Sequence, residues 1–131
     1  MSQRWSPEQV LALAPDASST AAARKLAVPG PWSETGASAA PPGVWGVCAG
    51  SGARPYQAVV DLAGPAYRCT CPSRKFPCKH ALALLLRWVA GEVPQAAEPA
   101  DFAAAWLASR AERAERTAAQ EERERSERTA V

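Results

Sequence analysis

The apolar and polar positions divide the chain into short, separate pieces. Ser6-Pro7-Glu8-Gln9 has the form of a helix start. Serine caps, proline suits the first helical position, and glutamine three residues on completes a capping box. A short helix to about Leu13 should follow, stopping before Pro15. The alanine-rich stretch from Asp16 to Leu26 reads as a second helix, ended by Pro29-Gly30-Pro31. Residues 29–43 have little apolar periodicity and carry Pro41-Pro42-Gly43 at their end, so they read as a Pro/Gly-rich linker. Val44 to Cys48 and Tyr56 to Leu62 read as strands joined by a hairpin turn over Ala49-Gly50-Ser51-Gly52-Ala53. In the second strand Tyr56, Ala58, Val60 and Leu62 share one face, and Gln57, Val59 and Asp61 share the other. Gly64-Pro65 makes a turn, and Ala66 to Cys71 is a third short strand. The run from Lys79 or His80 to about Val89 is apolar nearly all round, which suits a buried helix. Pro94 to Pro99 is a linker, and a last helix begins near Asp101, anchored by Phe102, Trp106 and Leu107.

This order predicts an α+β fold: a small β-β-α unit over residues 44–93, preceded by helical residues 1–28 and the linker 29–43. A C-terminal helix with a charged tail follows over residues 100–131. Beyond Leu107 no large apolar side chain occurs until Val131, so the tail should be dispensable for folding. Only Glu-to-Arg pairs four residues apart would hold it: Glu112–Arg116, Glu121–Arg125 and Glu124–Arg128.

Composition sharpens the question of what stabilises so small a unit. The chain is 47% hydrophobic over 131 residues, but 30 of those residues are alanine, which buries little area. A core this sparse calls for a staple. No apolar run approaches the roughly 18 residues of a membrane span, so no membrane partner is expected. Ser6 to Gln9 interrupt the place where a secretory signal would have its apolar stretch, which points to the cytoplasm. There thiols stay reduced, and clustered cysteines favour metal over disulfides.

The cluster is Cys69-Thr70-Cys71, then six residues, then Cys78-Lys79-His80. On a strand, residues i and i+2 point the same way, so Cys69 and Cys71 present both sulfurs on one face. Within a helix, Cys78 and His80 would be turned about 200° apart. Cys78 therefore belongs at or before the helix start, behind Pro77, with His80 in the first turn. Residues 72–77 are long enough to bring the four groups together. Three thiolates and one imidazole fill a tetrahedral Zn²⁺ shell and leave no open position for a substrate, so the site is structural. A disulfide and a catalytic thiol are the competing interpretations, and no second histidine or acid nearby stands ready to activate a thiol. Cys48 reads as a buried small side chain outside the site, a fourth sulfur ligand or a redox-active thiol being the alternatives.

The C-x-C, short gap, C-x-H pattern of Cys69, Cys71, Cys78 and His80 resembles the SWIM-type zinc finger. Cys48 with the residues after it, and the strand Val59-Val60-Asp61-Leu62, also look like bacterial members of that family. The resemblance implies a β-β-α zinc-binding unit and a role in binding DNA or another protein.

Charge bears on that choice. Residues 54–89 carry Arg54, Arg68, Arg74, Lys75, Lys79 and Arg87 against Asp61 alone. Arg74, Lys75, Lys79 and Arg87 form the candidate nucleic-acid surface, with Phe76 available to stack on a base. The alternative partner is a protein, engaged through Phe102 and Trp106 one helical turn apart and the charged helix after them. Neither partner implies a small-molecule substrate. No paired carboxylates, nucleophile-base set or phosphate-binding glycine loop is present, so no enzyme activity is expected.

Overall fold

The computed structural model describes residues 5–50, 54–63, 65–72 and 77–130. Helix α1 spans Pro7–Leu11 and opens with the anticipated capping box. The Ser6 hydroxyl accepts from the Gln9 amide at 3.2 Å, and the Gln9 side-chain oxygen accepts from the Ser6 amide at 2.8 Å. Helix α2 spans Ala17–Leu26, with the Asp16 carboxylate accepting from the Ser19 amide at 2.8 Å. At its other end the Trp32 indole N–H donates to the Leu26 carbonyl, satisfying one of the last carbonyls of the helix.

Four strands follow: β1 (Trp32–Ala39), β2 (Pro42–Cys48), β3 (Tyr56–Asp61) and β4 (Ala66–Cys69). They pair antiparallel in sequence order. The expected turn residues 51–53 lie outside the described residues. β1 is a departure from the sequence expectation, because it falls within residues 29–43, read as linker. Its composition hides it, since Gly36, Ala37, Ser38 and Ala39 have no apolar alternation to detect. Pairing supplies what propensity does not. β2 lies along one edge of β1, and residues 94–96 cover the other: the Ala37 amide donates to Pro94 O, and the Ala96 amide donates to Ala37 O. The segment after residue 93 thus closes a sheet edge that would otherwise stay open.

Strand alternation sorts the core into two faces. Val44, Cys48, Ala58 and Val60 join one apolar cluster with helix α3 (Lys79–Val89). Trp45 and Val59 join another with Ala103 and Leu107 of helix α4 (Asp101–Ala130). Helix α3 buries residues from His80 through Leu85, as a helix does when the sheet covers one side and α1 and α2 the other. The all-round apolar pattern of this segment is explained by that position.

The tail corrects one expectation. Arg110, past the last large apolar residue, reaches back to the end of β3 and donates from Nε to Asp61 Oδ2 at 2.6 Å. Its guanidinium also lies 5.4 Å from the Trp106 ring centroid. Asp61 is buried, and its other oxygen accepts from the Ala63 amide at 2.9 Å. None of the three anticipated Glu–Arg pairs closes within 4.0 Å among the described residues, and Glu124 accepts from Gln120 instead. Residues 112–129 are exposed throughout.

Two truncations separate these parts. Ending the chain after Ala111 keeps Arg110 and should leave the thermal midpoint within a few degrees. Ending it after Leu107 leaves the Asp61 carboxylate buried without its cation, at a cost of about 1–3 kcal/mol. That corresponds to a midpoint lowered by about 4–8 °C per kcal/mol for a domain of this size. Thermal melts followed by circular dichroism on the two zinc-loaded proteins would check this, and equal midpoints would contradict it.

Candidate metal centre

Four side chains converge where β4 ends and α3 begins. Cys69 is the last residue of β4 and pairs with Ala58 of β3, so it faces the same side of the sheet as the α3 cluster. Thr70 fixes the strand just past that point. Its amide donates to Gln57 O at 3.1 Å, and its hydroxyl accepts from the Gln57 amide at 3.0 Å. That double attachment turns Thr70 away from the site and leaves Cys69 and Cys71 flanking it on one side. Cys78 is the N-cap residue of α3, in extended conformation with no side-chain capping bond, so its sulfur is available elsewhere. His80 follows in the first turn. This is the arrangement the spacing predicted.

The donor atoms of Cys69, Cys71, Cys78 and His80 all lie within 4.8 Å of one another. Cys69 Sγ is 3.7 Å from His80 Nδ1. Metal–ligand bonds of about 2.0–2.3 Å imply a tetrahedron edge of about 3.3–3.8 Å, so this separation suits a shared ion. Cys78 and His80 are buried, while Cys69 and Cys71 are half-buried. The ring of Tyr56 lies against that of His80, with centroids 4.9 Å apart, and helps hold the imidazole. The donor set, its closeness and its burial fit one tetrahedral Zn²⁺ with every position filled by protein. Bound there, the ion cross-links the end of the sheet to the start of the central helix.

Cys48 is fully buried in the α3-side core and donates weakly to Ala49 O at 3.7 Å. Burial pushes its thiol up, against a smaller opposite pull from Lys79. It is not among the four clustered groups.

The thiols are electrostatically unequal before metal arrives. Cys78 is held well below the ordinary thiol range, first by the hydrogen bond from Cys69 and then, against desolvation, by His80 and the Ala81 amide at the start of the helix. Cys69 is pushed up by that same bond and by burial. Zinc takes thiolates, so binding near neutral pH must expel at least the proton that Cys69 holds. Apparent affinity should therefore rise at least about tenfold per pH unit around neutrality. Calorimetric zinc titrations in buffers of different ionisation enthalpy would count the protons. Fewer than one per zinc at pH 7 would contradict the assignment.

Among the described residues, Lys79 and Arg87 do not share one surface. Lys79 is exposed beside the cluster. Arg87 is buried, and its Nε donates to Glu92 Oε1 at 3.1 Å just past the end of α3. It is therefore not presented to a ligand alongside Lys79. Arg74, Lys75 and Phe76 lie outside the described residues. Phe102 and Trp106 are half-buried against Trp45, Val59 and Leu107, where they pack α4 onto the sheet.

A closed Cys₃His centre at a strand-to-helix junction defines a structural zinc-binding module. Residues 59–88, from β3 almost to the end of α3, match the family model of the SWIM zinc finger. That stretch is a SWIM zinc finger, and it carries the Cys69, Cys71, Cys78 and His80 cluster. No curated protein and no solved structure matches the chain. Among the described residues no helix is long and apolar enough to cross a membrane.

Proposed function

We propose that the zinc unit binds nucleic acid, most directly DNA, through the surface around the start of α3. The observation that carries this is the sign of what the unit exposes. Among the described residues of 54–89, the exposed charged side chains are Arg54, Arg68 and Lys79, all basic. The one acid, Asp61, is buried and paired with Arg110. Arg74 and Lys75 add two more positive charges in the sequence between the ligand pairs. Zinc with three thiolates carries −1, so the exposed cations exceed what the site itself requires. Arg68 pairs across from Val59 and so faces the opposite side of the sheet from Lys79. Arg74, Lys75 and Lys79 are therefore the residues assigned to phosphate contact.

The protein-adaptor alternative has less support, because both aromatic residues it relied on already serve internal packing. The exposed helix over residues 112–129 is the surface left to it. Neither role calls for a reaction, and we assign the module no catalytic activity.

Three phosphate contacts imply a slope of about −2.7 in log K against log salt for duplex DNA. Replacing Arg74, Lys75 and Lys79 together by alanine should flatten that slope and leave one zinc per chain, since none is a ligand. Arg87→Ala should leave the slope unchanged. Fluorescence anisotropy over a salt series checks both, and absence of wild-type binding at low salt would give the adaptor role precedence.

A further inference from the structure

Beside the metal centre lies a cavity of about 550 Å³. Its walls come from one side of α2 along its length, the residues just after β2 and β4, the start of β3 and the start of α3. One side is apolar, with Ala22 and Leu26, and the other carries Tyr56, Lys79 and His80. The volume falls in the roughly 300–1,000 Å³ range of small-molecule sites and exceeds what a bare phosphate fills.

His80 gives the cavity its chemistry. Its Nδ1 is the nitrogen facing Cys69, so Nε2 is the outward one. A metal-bound imidazole nearly always donates its other N–H to a carboxylate, a carbonyl or water, and the metal makes that hydrogen a better donor. Here the ring is only 4% exposed, yet Nε2 has no protein partner among the described residues. It is not sealed in either, because no buried side-chain nitrogen or oxygen is left unsatisfied. His80 lines the cavity, so an acceptor held there can meet this N–H. Lys79 stands next to it, exposed at the first position of α3. With the zinc site at −1 and Lys79 at +1, the local charge is near zero. Selection then rests on directed N–H donors, which a phosphate oxygen accepts well.

We propose that this cavity receives one nucleotide, its phosphate held by the outward N–H of His80 and the Lys79 ammonium. The sugar and base lie against Ala22 and Leu26. The proposal rests on the nucleic-acid function above in taking a strand as one source of that phosphate, free nucleotide being the other.

The test uses the zinc-loaded full chain with three probes: adenosine 5′-monophosphate, inorganic phosphate and a thymidine decamer lacking terminal phosphates. Backbone amide spectra should show the monophosphate moving Ser18, Ala22, Ala49 and Lys79, and the His80 Nε2 proton should shift with them. Lys79→Ala, on the surface, and Ala22→Phe, which fills the apolar wall, should each weaken the monophosphate at least tenfold with zinc content unchanged. Inorganic phosphate should bind more weakly and ignore Ala22→Phe. If the decamer binds without moving these amides, nucleic-acid binding stands and the cavity proposal falls. If the monophosphate moves them and the decamer does not bind, the cavity stands as a free-nucleotide site and the strand-binding function falls. An unchanged affinity in both variants overturns the proposal outright.

Discussion

Stripping zinc from the protein should abolish its cooperative thermal transition. The ion joins Cys69 and Cys71, at the end of the sheet, to Cys78 and His80, at the start of the helix that lies at the centre of the core. Binding of structural zinc in small fingers is worth about 10–16 kcal/mol at neutral pH. Whole domains of this size are stable by only about 5–15 kcal/mol. The core has little reserve, since Ala23, Ala37, Ala58, Ala81, Ala83 and Ala103 occupy buried positions that larger side chains fill in richer folds. Chelator treatment, Cys69→Ser and Cys78→Ser should each leave a broad, shallow melt, and each substitution should take zinc content well below one per chain. Cys48→Ala is the control: it shares the α3-side core but not the cluster, and should keep one zinc. Protein purified without chelator and found free of zinc would refute the assignment, as would loss of zinc in the Cys48 variant.

How much of this was legible in the sequence depended on the range of the interaction. The capping box of α1 is written in four consecutive residues and appears as such. The metal cluster was legible because ligand spacing and strand and helix periodicity all act within twelve residues, Cys69 to His80. The extent of α3 followed from an apolar run bounded by Pro77 and by the end of that run. What escaped is non-local or works through small residues. Arg110 and Asp61 are 49 residues apart, and nothing near either one names its partner. Arg87 looked like surface because arginine usually is. Glu92, which neutralises it, stands beyond the helix end, outside the i+3 and i+4 positions where helical pairs are sought. β1 was hidden because its neighbours, and not its own side chains, make it a strand.

The most instructive of those small residues is Gly36, and its replacement should produce the second large loss of stability. Gly36 pairs across from Trp45, and the indole lies over it. A Cβ at Gly36 would stand 2.7–2.9 Å from three atoms of that ring, closer than real contacts allow. Trp45 cannot yield easily. It is 3% exposed and packs in the core that α4 completes with Ala103 and Leu107. Gly36→Ala must therefore displace a large rigid ring, and overpacking of this kind costs about 1–3 kcal/mol, with Gly36→Val toward the upper end or beyond. For a domain of this size that lowers the thermal midpoint by about 4–8 °C per kcal/mol. The loss should be specific to the ring. In a Trp45→Leu background, itself destabilised by lost burial, adding Gly36→Ala should cost far less than it does in the wild type. Full additivity of the two changes would show that Gly36 is required for another reason. Gly43 offers a parallel case on the same layer, since its Cβ would stand 2.6 Å from Leu107 Cδ1. A leucine side chain can rotate where an indole in a packed core cannot, so Gly43→Ala should be the milder of the two. The chain thus holds its two large α4-side anchors, Trp45 and Leu107, by leaving room for them at glycines.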